Sequence, residues 1–167
     1  MSIFARVAKN RLPKSAREQA GVPDSERIIA WAPQQRDPGQ FVVATDQALH
    51  TKGSSIPWIS IIRAQWDEPF LELMVERSSG GGERLRIPLA EPGNLPAAVR
   101  TQVTANVVVS ERLTLADGSQ CLAAARRHGP DEISWTLVFD EGVDSSDPAI
   151  RAQANRALVE LRGALGI

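Results

Sequence analysis

Apolar and polar residues alternate with a period of two through most of the chain, a pattern typical of half-buried β-strands. The alternation begins just after Glu26, and turn-forming residues such as those of 36–39 interrupt it. Before residue 90 it predicts six strands joined by short turns. These strands cover 27–32, 41–44, 48–52, 56–66, 71–75 and 85–89. Such close spacing is typical of an antiparallel barrel or sandwich.

The second half of the chain mixes strands with helices. Asn94 can cap a second helix near 95–106, in which valines recur every four residues. A β-branched run at 107–109 favours a strand at the end of that helix. The dipeptide Asp117-Gly118 predicts a tight hairpin, and strands follow at 121–127 and 133–139. The expected total is about nine strands.

The last element is an amphipathic helix with clear signals at both ends. Asp147 is its predicted N-cap, Pro148 occupies the first helical position, and Gly166 ends it. One apolar stripe runs along it: Ile150, Ala154, Ala157, Leu158, Leu161 and Leu165. We expect this stripe to cap the preceding sheet, because an apolar helix face must be buried against another element.

The first 22 residues form a predicted basic arm. They contain five cationic side chains and Glu18 as the single acidic one, which leaves residues 23–167 with a net charge of −5. The cations are Arg6, Lys9, Arg11, Lys14 and Arg17. Pro13 divides the arm into two short helical pieces, and Gly21 ends the second. The arm either packs on its own acidic body or contacts an anionic membrane surface.

Composition narrows the class of protein. At 167 residues and a net charge of −1, the chain is long enough for one domain, which we expect at 23–167. The near-neutral balance argues against a specific nucleic-acid binder, and the single cysteine excludes an intrachain disulfide. With neither a signal-peptide pattern nor a long apolar run, a cytoplasmic protein is expected.

Three segments together resemble a known family. They are the strand 28–31, the stretch 41–49 with its Thr45-Asp46 turn, and the Ile56-Pro57-Trp58 segment with the isoleucines after it. This order is similar to the opening of bacterial PH-like (GRAM-like) domains. The resemblance implies an α+β fold, mainly antiparallel β, with a PH-like barrel or sheet closed by the C-terminal helix. The strong preference for arginine over lysine is typical of a GC-rich, actinobacterial-type genome.

Phosphoinositide binding, the family's best-known activity, is not expected here. The matching loop at 33–40 contains one arginine, Arg36, and its neighbour is Asp37. A single guanidinium cannot make the several phosphate contacts that such a site requires.

The residues that usually carry catalysis or bind metals are sparse. His50 and His128 have no metal-ligand spacing, and Cys121 lies within an apolar strand without a neighbouring base. Four carboxylates in 140–147 have oxygen ligands for Ca²⁺, but two of them are better placed to cap the last helix. We therefore expect no enzyme activity, no cofactor and no metal.

The four tryptophans all fall in or beside predicted strands. We expect all four in the core, because large aromatic side chains dominate cores, and Trp135 alternates with apolar neighbours. The alternative is that Trp58, which follows Pro57 at a bend, is the most exposed of the four. Exposed aromatic residues can anchor a partner. The predicted partner contacts are Trp58, Arg6, Lys9 and Arg11.

Together these features predict a non-enzymatic PH-like interaction or scaffold module with a protein partner. One alternative is a carrier of a small apolar ligand, held in a cavity between the curved sheet and the C-terminal helix. The cavity is expected between Trp135 and Leu137 on the sheet and Ile150, Leu158 and Leu161 on the helix. Another is peripheral membrane association through the basic arm. An unpaired sheet edge also favours a homodimer as one way of covering it.

Overall fold

A computed structural model describes residues 11–77, 82–127 and 131–167. The described ranges contain three α-helices, which we number α1 to α3, and ten strands. The helices are α1 (Lys14–Ala20), α2 (Leu95–Asn106) and α3 (Pro148–Leu165). The first five strands are β1 (Ile28–Pro33), β2 (Phe41–Thr45), β3 (Ala48–Thr51), β4 (Ser54–Pro57) and β5 (Ile61–Asp67). The others are β6 (Phe70–Glu76), β7 (Gly82–Pro88), β8 (Val107–Thr114), β9 (Gln120–Arg127) and β10 (Ile133–Phe139).

The strands form three sheets, so the fold class is α+β with mostly antiparallel pairing. Their orders are β1-β2-β3-β4, β5-β6-β7 and β10-β9-β8. No closed barrel forms from the strands described. Successive strands are neighbours throughout, as short connections favour.

The chain divides into two compact units. The first comprises residues up to Trp58, Ala64–Glu72 and Arg86–Gln102, and the second comprises Ile59–Arg63, Leu73–Leu85 and Val103–Ile167. In the first unit, a small core forms around Ala20, Val22 and Val43. The described end of the predicted arm therefore packs on strand β2 rather than standing free in solvent.

In the second unit, the sheet of β8, β9 and β10 is covered on both faces. One face contributes Ala124 and Val138 to a cluster with Ile62. The other face contributes Cys121 to a cluster with Leu115 and Ala154 of α3. This two-sided burial explains why strand β9 has five consecutive apolar residues, 121–125, instead of alternating.

Several local signals in the sequence are confirmed. Asp147 caps α3 by accepting a hydrogen bond from the backbone N–H of Ala149 at 2.8 Å, and Gly166 ends that helix in the left-handed conformation at φ 71°. Strand β10 has the predicted bounds. One expected strand, 56–66, is interrupted, because Trp58–Ser60 forms a turn of 3₁₀ helix between β4 and β5.

Candidate functional site

Strand β10 lies at one edge of its sheet, and β9 is the only strand in the described ranges that pairs with it. The backbone N–H of Asp140 donates to the carbonyl of Gln120, which continues the β10–β9 ladder. In an antiparallel pair, alternate residues direct their N–H and C=O groups toward the partner strand. Val138 and Thr136 therefore bond to β9 as Asp140 does. Trp135, Leu137 and Phe139 direct their backbone groups toward the open edge.

Helix α3 packs on the face of this sheet that contains Cys121, and a groove lies between the helix and β10. The groove has a volume of about 230 Å³. Four of its eight lining residues are apolar or aromatic and four are polar or charged, and most of them belong to β10 and α3. The lining residues are Glu76, Trp135, Thr136, Leu137, Phe139, Arg151, Asn155 and Leu158. Trp135, which we expected in the core, is half-buried and lines the groove.

A polar cluster of Glu76, Thr136 and Arg126 borders the groove, and Glu76 and Thr136 line it. The Thr136 hydroxyl donates to Oε1 of Glu76 at 3.0 Å, and Nη2 of Arg126 donates to Oε2 of the same carboxylate at 3.2 Å. The Arg126 side chain is 2% exposed, and its Nε has no hydrogen-bond partner among the described residues. Burial lowers the pKa of Arg126, and the charge and hydrogen bond of Glu76 oppose that change. This cluster fixes the position of the Glu76 carboxylate in the groove.

The helix wall of the groove contains one charged residue, Arg151. Helix α3 contains three arginines, at 151, 156 and 162, and a single acidic residue, Glu160. Arg151 lines the groove, and its Nε donates to the carbonyl of Ser145 at 2.6 Å. In the part of the chain that is described, none of the three arginines pairs with a carboxylate. The positive charge of Arg151, at the rim of the groove, is therefore not neutralised by an ion pair with a described carboxylate.

The alternative that Trp58 is the most exposed tryptophan is wrong. Its side chain is buried, and its indole N–H donates to the carbonyl of Thr45 at 2.9 Å. The bend after Pro57 turns this ring into the first unit, because the 3₁₀ turn starts at Trp58 itself. Among the cationic candidates, Arg11 is exposed, and Arg6 and Lys9 lie outside the described residues. Of these four residues the structure therefore describes only Trp58 and Arg11.

A second polar cluster, in the first unit, was not predicted. Oε2 of Glu26 accepts hydrogen bonds from the Thr45 hydroxyl at 2.6 Å and from Nε2 of His50 at 2.7 Å. Burial alone raises the pKa of Glu26, but the hydrogen bonds from Thr45 and His50 outweigh it, so the pKa lies below its ordinary value. The Thr45 hydroxyl also accepts from the backbone N–H of Ala48, so the cluster stabilises the turn between β2 and β3.

Three of the four carboxylates that could bind calcium have structural partners within the chain. Asp140 pairs with Arg112 at 2.8 Å, and Oδ1 of Asp144 accepts from the backbone N–H of Ser146 at 2.9 Å. Asp147 caps α3. The hydrogen bonds from Ser146 lower the pKa of Asp144. Over the described ranges, no group of three or more His, Cys, Asp and Glu side chains could hold a metal ion.

Cys121 is fully buried in the second unit. Burial raises the pKa of its thiol, and the nearby charge of Asp140 adds to that effect. A buried thiol with a raised pKa is a poor nucleophile. The second histidine, His128, lies outside the described residues.

A wider depression of about 990 Å³ lies in the first unit beside α1 and β1. Its lining combines three cations with three carboxylates, so it has no excess charge. These residues are Arg11, Lys14, Arg17, Glu18, Asp24 and Glu91. Arg17 is already engaged, since its Nη2 donates to the carbonyls of Pro23 and Glu26. We therefore take the groove between β10 and α3 as the candidate site.

Comparisons with protein-family models, with curated proteins and with solved structures found no match. The site therefore has to be interpreted from its own residues. No helix among the residues described has the length and apolar character needed to cross a membrane.

The sequence contained one signal for this groove. Arg126 is a charged residue within the otherwise apolar stretch 121–126, and such a residue needs a buried partner. Glu76 lies fifty residues earlier in the chain, and nothing in the local pattern connects the two.

Proposed function

We propose that this protein is a non-enzymatic interaction module, and that its binding surface is the groove between β10 and α3. One observation carries the proposal: an unpaired strand edge and the groove share the same residues, Trp135, Leu137 and Phe139. Open strand edges and apolar grooves beside helices are two surfaces that proteins use to bind segments of other proteins. No arrangement of base, nucleophile and acid lies along the groove, which supports binding rather than catalysis.

Filling the groove tests this proposal. Asn155 is exposed on the groove side of α3, so Asn155→Trp is expected to occupy the space without changing the core. Ala164→Trp, on the opposite side of the same helix, is the matched control. Affinity purification from the native cell should recover a protein with the wild type and with the control but not with Asn155→Trp. Identical recovery with both variants would remove the groove from consideration.

A carrier of a small apolar ligand is the second candidate, and the position of the groove supports it. Three of the five residues expected around such a cavity, Trp135, Leu137 and Leu158, line the groove, whereas Ile150 and Leu161 do not. Its volume of about 230 Å³ is below the ~300–1,000 Å³ usual for ligand sites, so we rank it second. Native mass spectrometry of protein purified from its own cell tests this: a carrier retains a bound molecule of constant mass.

Two further expectations remain proposals. Kinship with PH-like domains is supported by the order of antiparallel strands followed by a C-terminal helix, but the described strands lie in three sheets. Membrane association through residues 1–22 is supported by the exposure of Arg11. Flotation with anionic liposomes, compared between wild type and a variant with Arg6, Lys9 and Arg11 changed to glutamine, tests the second.

A further inference from the structure

We propose that the groove takes an acidic, extended segment of a protein partner, which adds to the sheet as a strand beside β10. This inference rests on the proposed function, because it names the class of partner for the same groove. It follows from the direction of the backbone groups, the spacing of the apolar side chains and the charge of the rim.

The backbone of β10 is the first part of the argument. Trp135, Leu137 and Phe139 direct their N–H and C=O groups to the side of the strand that no described strand covers. β10 contains no charged residue and no proline, the two features that usually prevent an edge strand from pairing. An extended segment can use these groups as a ladder, and main-chain hydrogen bonds then supply affinity.

The side chains that border the groove are the second part. The same alternate residues of β10 contribute their side chains to the groove, where Leu158 of α3 faces them. Successive side chains of a strand point to opposite faces. A segment added beside β10 therefore places every second side chain toward α3, and an apolar residue suits those positions.

The third part of the argument is the positive charge at the rim of the groove, which favours an acidic segment over a basic one. Arg151, Asn155, Leu158 and Arg162 recur at intervals of three and four, so they share one side of α3. Arg151 lines the groove and Arg162 lies farther along the same side of α3, and neither guanidinium group pairs with a carboxylate within the described ranges. The groove's own carboxylate, on Glu76, is already bonded by Arg126 and Thr136. An acidic segment gains ion pairs at this rim, and a basic segment meets like charge.

Synthetic peptides test the proposal directly. The probe is a fluorescent seven-residue peptide of alternating valine and glutamate, matching the seven residues of β10. A second peptide replaces every glutamate with lysine. Two further versions of the acidic peptide are N-methylated on alternate amides, one on the odd and one on the even positions. Fluorescence anisotropy measures the affinity of each for the full chain.

We expect the acidic peptide to bind and the lysine peptide to bind at least about tenfold more weakly. One N-methylated version should lose at least about tenfold in affinity and the other should bind like the parent, because only one set of amides faces β10. Equal binding of both N-methylated versions overturns strand addition. If the lysine peptide binds more tightly than the acidic peptide, the proposal that the partner segment is acidic is wrong.

Protein variants locate the peptide on the surface. Arg151→Gln should weaken the acidic peptide about three- to tenfold and reduce the salt dependence of binding. Arg36→Gln, an exposed arginine of the first unit, is the matched control and should leave both unchanged. Hydrogen exchange should show protection of the Trp135 and Leu137 amides when the acidic peptide is bound. An unchanged affinity in Arg151→Gln, or no protection at these amides, overturns the assignment to this groove.

The outcomes separate this inference from the function on which it rests. If Asn155→Trp abolishes recovery of a partner, the groove is an interaction site. If the acidic peptide nevertheless does not bind, the proposal that the partner segment is acidic is wrong. If Asn155→Trp changes nothing and the peptide does not bind, both the inference and the proposed function fail.

Discussion

Nε2 of His50 lies 2.7 Å from Oε2 of Glu26, although 24 residues separate them in the chain. The imidazole is almost completely buried, and the carboxylate is 15% exposed. The same carboxylate oxygen accepts a hydrogen bond from the Thr45 hydroxyl. An ionised Glu26 therefore holds the start of β1, the end of β2 and strand β3 together.

This contact makes the stability of the first unit dependent on pH. The pKa of Glu26 in the folded chain lies below its ordinary value of 4.5, so the unfolded chain binds more protons in this range. The resulting stabilisation is fully present above that value and is lost as the pH falls through the folded pKa. We expect the free energy of unfolding to decrease between about pH 5 and pH 3, and to decrease less in Glu26→Gln. Chemical denaturation at a series of pH values measures both.

Thr45 supplies a matched pair of variants for that measurement. Thr45→Ser keeps the hydroxyl that donates to Glu26, so it should retain the pH dependence of the wild type. Thr45→Val removes the hydroxyl and should reduce it. If Glu26→Gln has the same profile as the wild type, Glu26 does not contribute to the acid sensitivity.

Hydrogen exchange in the free protein tests the open edge of β10. The amides of Thr136 and Val138 donate to β9, whereas those of Trp135, Leu137 and Phe139 face the uncovered side. We expect the second group to exchange at least about tenfold faster than the first, measured residue by residue by NMR. Equal protection along the strand would show that another segment covers this edge.

Two glycines should respond in opposite ways to the same change. A Cβ on Gly82 would lie 2.7 Å from Sδ of Met74 and 2.8 Å from Cγ1 of Val138. Gly82→Ala should therefore destabilise the protein by about 1–3 kcal/mol, because the stiff valine cannot move aside easily. Gly163→Ala meets nothing within 4 Å in α3 and should stabilise it by up to about 1 kcal/mol. Thermal and urea unfolding of the two variants measures the difference, and equal effects would contradict the packing at Gly82.

The N-cap of α3 is a further quantitative test. Oδ1 of Asp147 accepts from the Ala149 N–H at 2.8 Å, so Asp147→Ala should cost about 1 kcal/mol of stability. Asp147→Asn keeps an oxygen acceptor and should cost much less. Because α3 forms one wall of the groove, Asp147→Ala should also weaken any partner that binds there. A partner affinity unchanged in Asp147→Ala would mean that fraying of the first turn does not reach the groove.

The local sequence pattern predicts most of the helices and strands of this protein. The period-two alternation gave the bounds of β10, and Asp147, Pro148 and Gly166 gave both ends of α3. These signals act through backbone conformation and hydrogen bonds within a few residues, so they can be interpreted without the tertiary structure. The apolar stripe of α3 was also predictable, but the burial of its residues was not. Only Ala154 is buried, and Leu165 is 43% exposed.

The α+β class, the succession of strands and the C-terminal helix can be predicted without the fold, because propensity, capping and periodicity are local. Which residues come into contact depends on how the chain folds. The tertiary structure buries Trp58, pairs Glu26 with His50 and Arg126 with Glu76, and leaves β10 as an edge beside α3. These relationships join residues that lie far apart in the chain, and the register and order of the strands fix them. No local pattern encodes that order, so the candidate groove became visible only in the folded chain.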